Sequence, residues 1–285
     1  MPSFAHIVNP VRVAPASDLF AAQPLTFESM RRSRGCAGSA GIPVRLFTAQ
    51  YREDHPVLPD GFTATPDLER SASDVARFGM PRKLPLFGDI LGRLYQASDA
   101  DLFVYTNVDI VLREDFYIEA ARRIDEGLDS FTITRRTVEA VPGAPCSVEW
   151  LTSQRGSPHP GFDCFVFRRH LLEAVDFRHL LIGTTGIGKT VVGALSTLDT
   201  TFVILSDLCL TFHVNADERW RDPAVADYRA HNARQAVSIL EAIGARAGHL
   251  SPLAAEYLLH YRNFPAPPPR PGPWARFKER LGIRR

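Results

Sequence analysis

The sequence predicts an α/β protein whose parallel or mixed sheet carries helices on its faces. The main observation is an alternation of short apolar runs with longer segments of helical periodicity along the first two thirds of the chain. A second observation is the run over residues 102–105, which is continuously apolar, as in a strand buried on both faces. The chain has 285 residues, of which 45% are hydrophobic and 23% charged, so it can form one large globular domain or two.

The charge balance and the cysteine content argue against several classes of protein. The chain has 33 basic and 32 acidic side chains, which is unlike a protein that binds nucleic acid over a broad face, so no nucleic-acid partner is predicted. Its four cysteines show no Cys-x-x-Cys spacing, which argues against a zinc site and favours a reduced, cytoplasmic chain. No signal peptide and no apolar run of membrane-spanning length is recognisable.

The first three elements are predicted near the N-terminus. Residues 5–10 form a strand that stops at Asn9-Pro10, because proline cannot donate to a central ladder. Thr26 stands at the N-cap position of a helix over residues 27–34. Residues 42–48 are predicted as the second strand.

A long loop separates these elements from the next ones. Residues 54–85 contain several prolines and little periodicity, which is typical of a surface loop. Residues 86–95 carry apolar side chains at helical spacing. The apolar strand at 102–105 follows, and then a helix over 116–124 and a short strand over 130–134.

The alternation of strands and helices continues in the second half of the chain. A strand rich in aromatic residues is predicted over 161–167, and residues 169–175 are predicted to be helical. Residues 201–205 and 208–213 are two further apolar runs, and the alanine-rich segment 224–244 has helical spacing.

Polar side chains follow the apolar strand directly, in the sequence Asn107-Val108-Asp109. In parallel α/β sheets, ligands bind at the carboxyl ends of the strands. A carboxylate and an amide two residues apart at such an end can offer oxygen atoms to one hard cation. The sequence therefore predicts a cation site here, and the cation could hold a diphosphate.

Four segments together resemble one family by their order and spacing. They are Arg82-Lys83-Leu84-Pro85, the Asn107-x-Asp109 turn, residues 159–168 and residues 211–220. Over residues 5–220 the chain resembles a GT-A-fold glycosyltransferase-like protein, a nucleotide-sugar transferase. The resemblance implies an α/β fold of GT-A type, with a mixed, mostly parallel sheet flanked by helices. It also implies transfer of a sugar from a nucleotide-sugar donor to an acceptor hydroxyl.

The resemblance further implies a divalent cation, Mn²⁺ or Mg²⁺, bound to the donor's diphosphate. Asp109 and His213 would be its protein ligands, with Asn107 assisting. The chain departs from the family's Asp-x-Asp motif because Asn107 replaces the first aspartate, and an amide oxygen binds such a cation less strongly than a carboxylate. A GT-A-like protein that binds its ligand without catalysis is therefore an alternative.

Other residues receive roles from the same resemblance. Asn9 and Pro10, at the end of the first strand, would border the nucleoside of the donor. Arg82 and Lys83 would bind the donor near its phosphates. Asp163 would face the reacting sugars and, in an inverting mechanism, remove the proton of the acceptor hydroxyl.

Each of these residues also has an ordinary structural interpretation. Asn107 and Asp109 could form an Asx turn after a strand. His213 could be a hydrogen-bonded histidine of the core, and Asp163 a residue at a strand start. The basic pair at 82–83 could be a solvated part of the surface.

One motif points to a different class of enzyme. Residues 183–190, Gly-Thr-Thr-Gly-Ile-Gly-Lys-Thr, match the phosphate-binding loop of P-loop NTPases and kinases. The motif lies late in the chain for that fold, and the apolar segment before it, 180–182, is short. We therefore predict a structural glycine turn that leads into a helix over 190–198, with the NTPase or kinase kept as an alternative.

The C-terminal residues 265–285 are predicted to be a tail outside the GT-A-like domain of residues 1–264. Residues 265–273 are rich in proline, and the segment 270–285 carries six basic residues with interleaved apolar ones. Such a segment could lie on an anionic membrane, at its inner face, and bring the enzyme to a lipid-linked or other glycan acceptor. A solvated terminus is the alternative.

Overall fold

The computed structural model describes residues 1–140, 146–215 and 222–266. Within these ranges the chain forms one mixed sheet of nine strands. In chain order the strands are β1 Phe4–Val8, β2 Val44–Thr48, β3 Thr63–Ala64, β4 Leu102–Thr106, β5 Val111–Leu112, β6 Ser130–Val138, β7 Ser157–Arg168, β8 Val203–Leu205 and β9 Thr211–Val214.

Eight α-helices lie in the same described ranges, and short 3₁₀ segments occur beside them at Arg52–Val57, Arg169–Ala174 and Pro223–Val225. The α-helices are α1 Asp18–Ser39, α2 Ala72–Val75, α3 Phe87–Ala97, α4 Phe116–Asp125, α5 Val148–Ser153, α6 Ile187–Leu198, α7 Ala226–Ala247 and α8 Pro252–Arg262.

The strand order is β3-β2-β1-β4-β7-β6-β9-β5, and β8 also pairs with β6. β1 runs parallel to β2 and β4, and β6 runs parallel to β8 and β9. β7 is antiparallel to both β4 and β6, so β4 and β6 point the same way. The carboxyl ends of β1, β2, β4, β6 and β9 therefore lie at one edge of the sheet. The predicted fold class, a mixed and mostly parallel sheet flanked by helices, is confirmed.

The two faces of the sheet are covered by different helices, and β4 shows why its sequence is apolar throughout. Phe103 and Tyr105 point to a core formed with α3, α6, α7 and α8. Leu102 and Val104 point to the opposite core, formed with α1 and α4. Successive side chains of a strand alternate between its faces, so a central strand between two cores has no polar face.

Several element boundaries differ from the sequence prediction. Helix α1 begins at Asp18, so the predicted N-cap Thr26 lies buried within it, and the helix also contains Pro24. Packing of Phe27 and Met30 into the core fixes this helix and outweighs the local signals of proline and threonine. Helix α8 was not predicted, and β6 and β7 are longer than the predicted strands.

None of the described helices combines the length and the apolar character that crossing a bilayer requires. The predicted membrane-contacting tail lies outside the described residues, apart from the two residues that precede position 267.

A buried histidine links β1, β4 and α4. The Nδ1 atom of His6 lies 2.7 Å from the Tyr117 hydroxyl, and its Nε2 atom lies 2.9 Å from the Thr106 hydroxyl. Burial lowers the pKa of His6 to about 3. The folded protein therefore keeps this ring neutral over a pH range in which the unfolded chain protonates it, since the unperturbed pKa is about 6.5.

We expect His6 to make the folded state acid-sensitive. As pH falls below about 6.5, only the unfolded chain gains this proton, so the free energy of unfolding drops by about 1.4 kcal/mol per pH unit down to pH 3. Urea unfolding from pH 6 to 4.5 gives the slope of the free energy of unfolding against pH. The difference in this slope between wild type and His6→Gln isolates the contribution of His6. His170→Gln, which replaces an exposed histidine, is the comparison variant. Parallel curves for wild type and His6→Gln would contradict this account.

Candidate functional site

Two strands bring Asn107 and Asp163 together. The pairing of β4 with β7 ends at Thr106 and Cys164, and the Asn107 N–H then donates to the Asp163 carbonyl at 3.1 Å. The chain turns at once, because the Ile110 N–H donates back to the Asn107 carbonyl at 3.3 Å. This turn places Asp109 beside the carboxyl end of β4.

Strand β9 places His213 against Asp109. The His213 Nε2 atom lies 3.2 Å from Asp109 Oδ2. On the other side of the ring, His213 Nδ1 lies 2.7 Å from the Asn215 carbonyl, which can only accept, so Nδ1 carries a proton. Asn215 presents this carbonyl from a left-handed backbone conformation, with φ of 59°. His213 is therefore oriented with Nε2 toward the carboxylate.

The charges of this pair stabilise each other. Burial by itself would raise the pKa of Asp109, but the His213 hydrogen bond and nearby positive charges outweigh it, so the pKa lies below its usual value. Burial would likewise lower the pKa of His213, yet Asp109 holds it above its usual value. One oxygen of this carboxylate, Asp109 Oδ1, is buried and has no hydrogen-bond partner among the residues that the structure describes.

Arg135 is the counter-ion of Asp163. The Arg135 Nη1 atom lies 2.9 Å from Asp163 Oδ2, and their side chains are 8% and 15% exposed, so this is a largely desolvated ion pair. The Asn107 amide donates to Asp163 Oδ1 at 2.8 Å, and its oxygen accepts from the Tyr105 hydroxyl at 3.1 Å. Burial raises the pKa of Asp163, and the charge of Arg135 offsets this only in part.

The backbone around Arg135 is irregular in a way that directs its side chain. The register of β6 against β7 shifts between Thr132 and Thr134 and again between Thr134 and Arg136. Bulges of this kind occur often beside active sites, where they re-aim a side chain. Arg135 thereby reaches Asp163, and its Nη2 atom lies 3.3 Å from His159 Nε2 on β7.

Three buried polar atoms of this cluster have no hydrogen-bond partner within residues 1–140, 146–215 and 222–266: Asp109 Oδ1, Arg135 Nε and Asp163 Oδ2. Asp163 Oδ2 has Arg135 close by as a charge, but the geometry is not that of a hydrogen bond. In the described part of the chain only four other side-chain atoms are in the same situation. Buried polar groups are normally satisfied, so this concentration makes the cluster a candidate ligand site.

The residues present fit a cation that is shared with a phosphate ligand. Over the described ranges no cluster of three or more His, Cys, Asp and Glu side chains is placed to hold a metal by itself. Asp109 Oδ1 is one ligand atom, and His213 Nε2, which now faces Asp109 Oδ2, becomes a second when its proton is displaced. Mg²⁺-type sites often use one or two protein ligands while substrate phosphates and water supply the rest. A fixed Nδ1–H on a backbone carbonyl is also the usual support of a ligating histidine.

The predicted nucleoside-binding residues, Asn9 and Pro10, lie at the carboxyl end of β1, next to that of β2. The Asn9 amide donates to the Ala49 carbonyl at 2.6 Å, and Pro10 is buried beside it. Lys83 forms an ion pair with Glu53 and lies 4.0 Å from the centre of the Tyr51 ring. The Lys83 side chain, from the segment between α2 and α3, therefore packs against the segment that follows β2.

Arg82 is held by its backbone and is half-buried. Its N–H donates to the Tyr228 hydroxyl at 2.8 Å. Its guanidinium has a weak contact with the Met80 sulfur at 3.9 Å. Neither contact engages the cluster around Asp109, so the donor-binding roles of Arg82 and Lys83 stay predictions.

The segment 183–190 is built as a packing turn. It follows no strand of the central sheet, since only a single bridge joins Leu181 to Leu86. The Gly186 carbonyl accepts from the Tyr261 hydroxyl at 2.8 Å, and Gly186 has φ of 109°. A Cβ atom on Gly188 would lie 2.7 Å from the Phe162 carbonyl oxygen of β7. The glycines of this motif thus allow α6 to start against the sheet and against α8.

We expect this motif to contribute to stability and not to phosphate binding. Gly188→Ala should lower the free energy of unfolding by about 1–3 kcal/mol, because the Phe162 backbone cannot yield. Lys189→Ala should leave nucleotide affinity unchanged, since Lys189 is exposed over Tyr257. Gly92→Ala is the control, because its Cβ meets nothing within 4 Å and should be neutral or stabilising. Loss of nucleotide binding in Lys189→Ala, measured by calorimetry, would favour the NTPase instead.

Arg135 and His159 were not among the predicted site residues. Arg135 lies in a strand that is buried along its whole length, and a charged residue in such a strand is a signal that sequence reasoning could have used. His159 belongs to a segment that carried the family resemblance but received no role. Both residues depend on the pairing of β6 with β7, which the sequence does not specify.

Comparison with known proteins identifies the fold. No family model matches the chain, and no curated protein sequence does. The crystal structure of S. aureus TarS 1–349 in complex with UDP-GlcNAc matches with a TM-score of 0.53 at 13% identity, over 92% of this chain and 72% of that one. A second crystal structure of TarS 1–349 matches with a TM-score of 0.50 at 11% identity, over 91% of this chain and 71% of that one.

A third match is the mannosyltransferase PcManGT from Pyrobaculum calidifontis in complex with GDP-Man and Mn²⁺. Its TM-score is 0.49 at 13% identity, over 92% of this chain and 69% of that one. The two TarS structures show that this chain has the GT-A fold, as the sequence resemblance implied.

Proposed function

We propose that this protein is a glycosyltransferase that takes a sugar from a nucleotide-diphosphate donor and transfers it to an acceptor hydroxyl. The observation that carries the proposal is the cluster of unpartnered buried atoms, Asp109 Oδ1, Arg135 Nε and Asp163 Oδ2, at the carboxyl edge of a GT-A sheet. In open α/β sheets this edge is where ligands bind. The nucleotide-sugar donor is further supported by the fold shared with TarS 1–349, which was solved with UDP-GlcNAc.

Asp109 and His213 are the proposed holders of a divalent cation, Mn²⁺ or Mg²⁺. When bound, such a cation neutralises the charge that develops on the leaving diphosphate. Asp109 contributes its buried Oδ1, and His213 contributes Nε2 once its proton is displaced. Asn107 remains a proposed assistant, although both polar atoms of its side chain already have protein partners.

Asp163 is the proposed base that accepts the proton of the acceptor hydroxyl. Burial raises its pKa, which makes this carboxylate a stronger base than an exposed aspartate. The Asn107 amide holds Oδ1 in place, and Oδ2 has no hydrogen-bond donor. Asn9, Pro10, Arg82 and Lys83 are proposed to contact the nucleoside and phosphates of the donor.

A thermal-shift screen of UDP- and GDP-sugars, with Mn²⁺ or with EDTA, tests this function. We expect a stabilising shift with at least one donor that depends on the cation, followed by release of the nucleoside diphosphate in a coupled assay. A shift without turnover would support the alternative of a GT-A-like binding protein. A shift with ATP or GTP alone, with Mg²⁺, would support the NTPase.

The C-terminal tail, residues 265–285, is proposed to contact anionic membranes beside a GT-A-like domain of residues 1–264. Its six basic residues from position 270 onward supply the attraction, and each contributes about 1 kcal/mol near anionic lipid. The full chain should co-sediment with anionic vesicles at low salt and be released at high salt. A chain cut after Phe264 should stay in the supernatant, and equal behaviour of the two would contradict the proposal.

A further inference from the structure

The ring of His159 is folded back over its own strand. The Gly161 N–H donates to His159 Nδ1 at 2.9 Å. A Cβ atom on residue 161 would lie 2.6 Å from His159 Cε1 and 2.8 Å from Nδ1, so any larger residue here would force the ring to move. Glycine at this position is therefore what permits the ring's orientation.

This contact fixes the protonation of the ring. Because an N–H donates to Nδ1, that atom presents its lone pair, and a neutral imidazole then carries its proton on Nε2. Burial and the charges of Arg135 and His213 lower the pKa of His159 to about 4, so the ring is neutral near pH 7. The Nε2–H group faces Arg135 Nη2 at 3.3 Å, and a guanidinium can only donate.

Two hydrogen-bond donors, His159 Nε2–H and Arg135 Nη2, thus face each other. Arg135 Nη1 forms an ion pair with Asp163 Oδ2, and within the described part of the chain Arg135 Nε is buried without a hydrogen-bond partner in a side chain that is 8% exposed. Among the described residues, neither His159 Nε2–H nor Arg135 Nη2 has an oxygen atom to which it donates. An oxygen atom of a ligand, negatively charged and able to accept from two groups, would satisfy both donors.

We propose that His159 and Arg135 form an oxyanion subsite, which binds a phosphate or carboxylate group of a substrate beside Asp163. The inference rests on the proposed function in that it takes this group to belong to a transferase substrate. Two sources supply the same chemistry: the diphosphate of the donor, or an acceptor that is itself anionic. His159 is a binding residue through Nε2–H, and Gly161 is a positioning residue.

The test measures binding of inorganic phosphate, UDP, GDP and uridine by calorimetry with Mn²⁺ present. Four variants are compared with wild type: His159→Leu, which removes the donor; His159→Gln, which keeps an N–H donor; Gly161→Ala, which displaces the ring; and exposed His170→Leu as the control. NMR of ¹⁵N-histidine-labelled protein reports the tautomer of His159, and thermal melts report folding.

We expect His159 to be protonated at Nε2 and its resonance to shift on addition of phosphate. Phosphate affinity should fall about tenfold in His159→Leu, the loss of one hydrogen bond to a charged group, and recover largely in His159→Gln. A parallel loss of UDP or GDP affinity, with uridine unchanged, assigns the subsite to the donor diphosphate. Unchanged nucleotide affinity with lost phosphate binding assigns it to an anionic acceptor.

Two results would overturn the subsite: phosphate that binds wild type and His159→Leu equally well, or phosphate that does not bind wild type. A different result would contradict the proposed function and leave the subsite in place. In that case neither UDP nor GDP binds wild type, while phosphate binding and its dependence on His159 persist.

Discussion

Replacement of Asp109 with asparagine is expected to remove cation-dependent donor binding and to lower the transfer rate about 100-fold or more. Asp109 supplies the carboxylate that lies beside His213, and its Oδ1 is buried without a protein partner. An amide has nearly the same shape but no charge, so the fold should persist while the attraction for Mn²⁺ is lost. Calorimetry of the donor with and without Mn²⁺ measures the effect.

Asp207→Asn is the matched control, because Asp207 is exposed in the connection between β8 and β9 and should behave like wild type. A donor affinity in Asp109→Asn equal to that of wild type, with Mn²⁺ present, would remove Asp109 from the cation site. The companion variant Asn107→Asp should raise cation affinity if Asn107 assists Asp109.

Replacement of Arg135 with methionine is expected to lower the free energy of unfolding by about 3–5 kcal/mol, because it leaves Asp163 buried without its counter-ion. Adding Asp163→Asn to this variant should restore much of the loss, since the uncompensated charge is then gone and the Asn107 contact can persist. Urea unfolding near neutral pH measures both variants.

Arg122→Met is the comparison for an exposed ion pair. Arg122 pairs with Glu119 and Glu126 on the surface of α4, and such pairs contribute about 0–1 kcal/mol. If Arg135→Met costs no more than Arg122→Met, the buried pair is not formed as described. If the double variant is no more stable than Arg135→Met, the cost comes from lost packing and not from the charge.

The fold could be predicted from the sequence because its strongest signals are local. The continuous apolar run of β4 indicates a strand that is covered on both faces. The helical spacing of apolar residues in α3 and in α4 indicates one buried face on each helix. The start of α1 could not be predicted from its local sequence. Pro24 and Thr26 suggest that a helix begins near them, whereas tertiary packing continues the helix through both residues from Asp18. The two-residue strands β3 and β5 are too short to leave a pattern.

Among the predicted site residues, Asn107 and Asp109 follow a recognisable strand end, whereas Asp163 and His213 were named from the family resemblance. Asn107, Asp109 and Asp163 lie close together as expected of neighbouring strands, and His213 joins them from β9. Arg135 and His159 depend on two register shifts between β6 and β7, and on the close approach of Gly161 to a ring. Both are long-range or steric features that a single sequence does not reveal.

A crystal structure with Mn²⁺ and UDP or GDP, with anomalous diffraction to locate the manganese, tests the central claim most directly. The predicted result is a manganese ion coordinated by Asp109 Oδ1 and His213 Nε2, with the diphosphate and water as its other ligands and the nucleoside near Asn9 and Pro10. The opposite result is a nucleotide whose phosphates lie on residues 183–190, or manganese bound away from Asp109; either would contradict the assignment of this sheet edge as the transferase site.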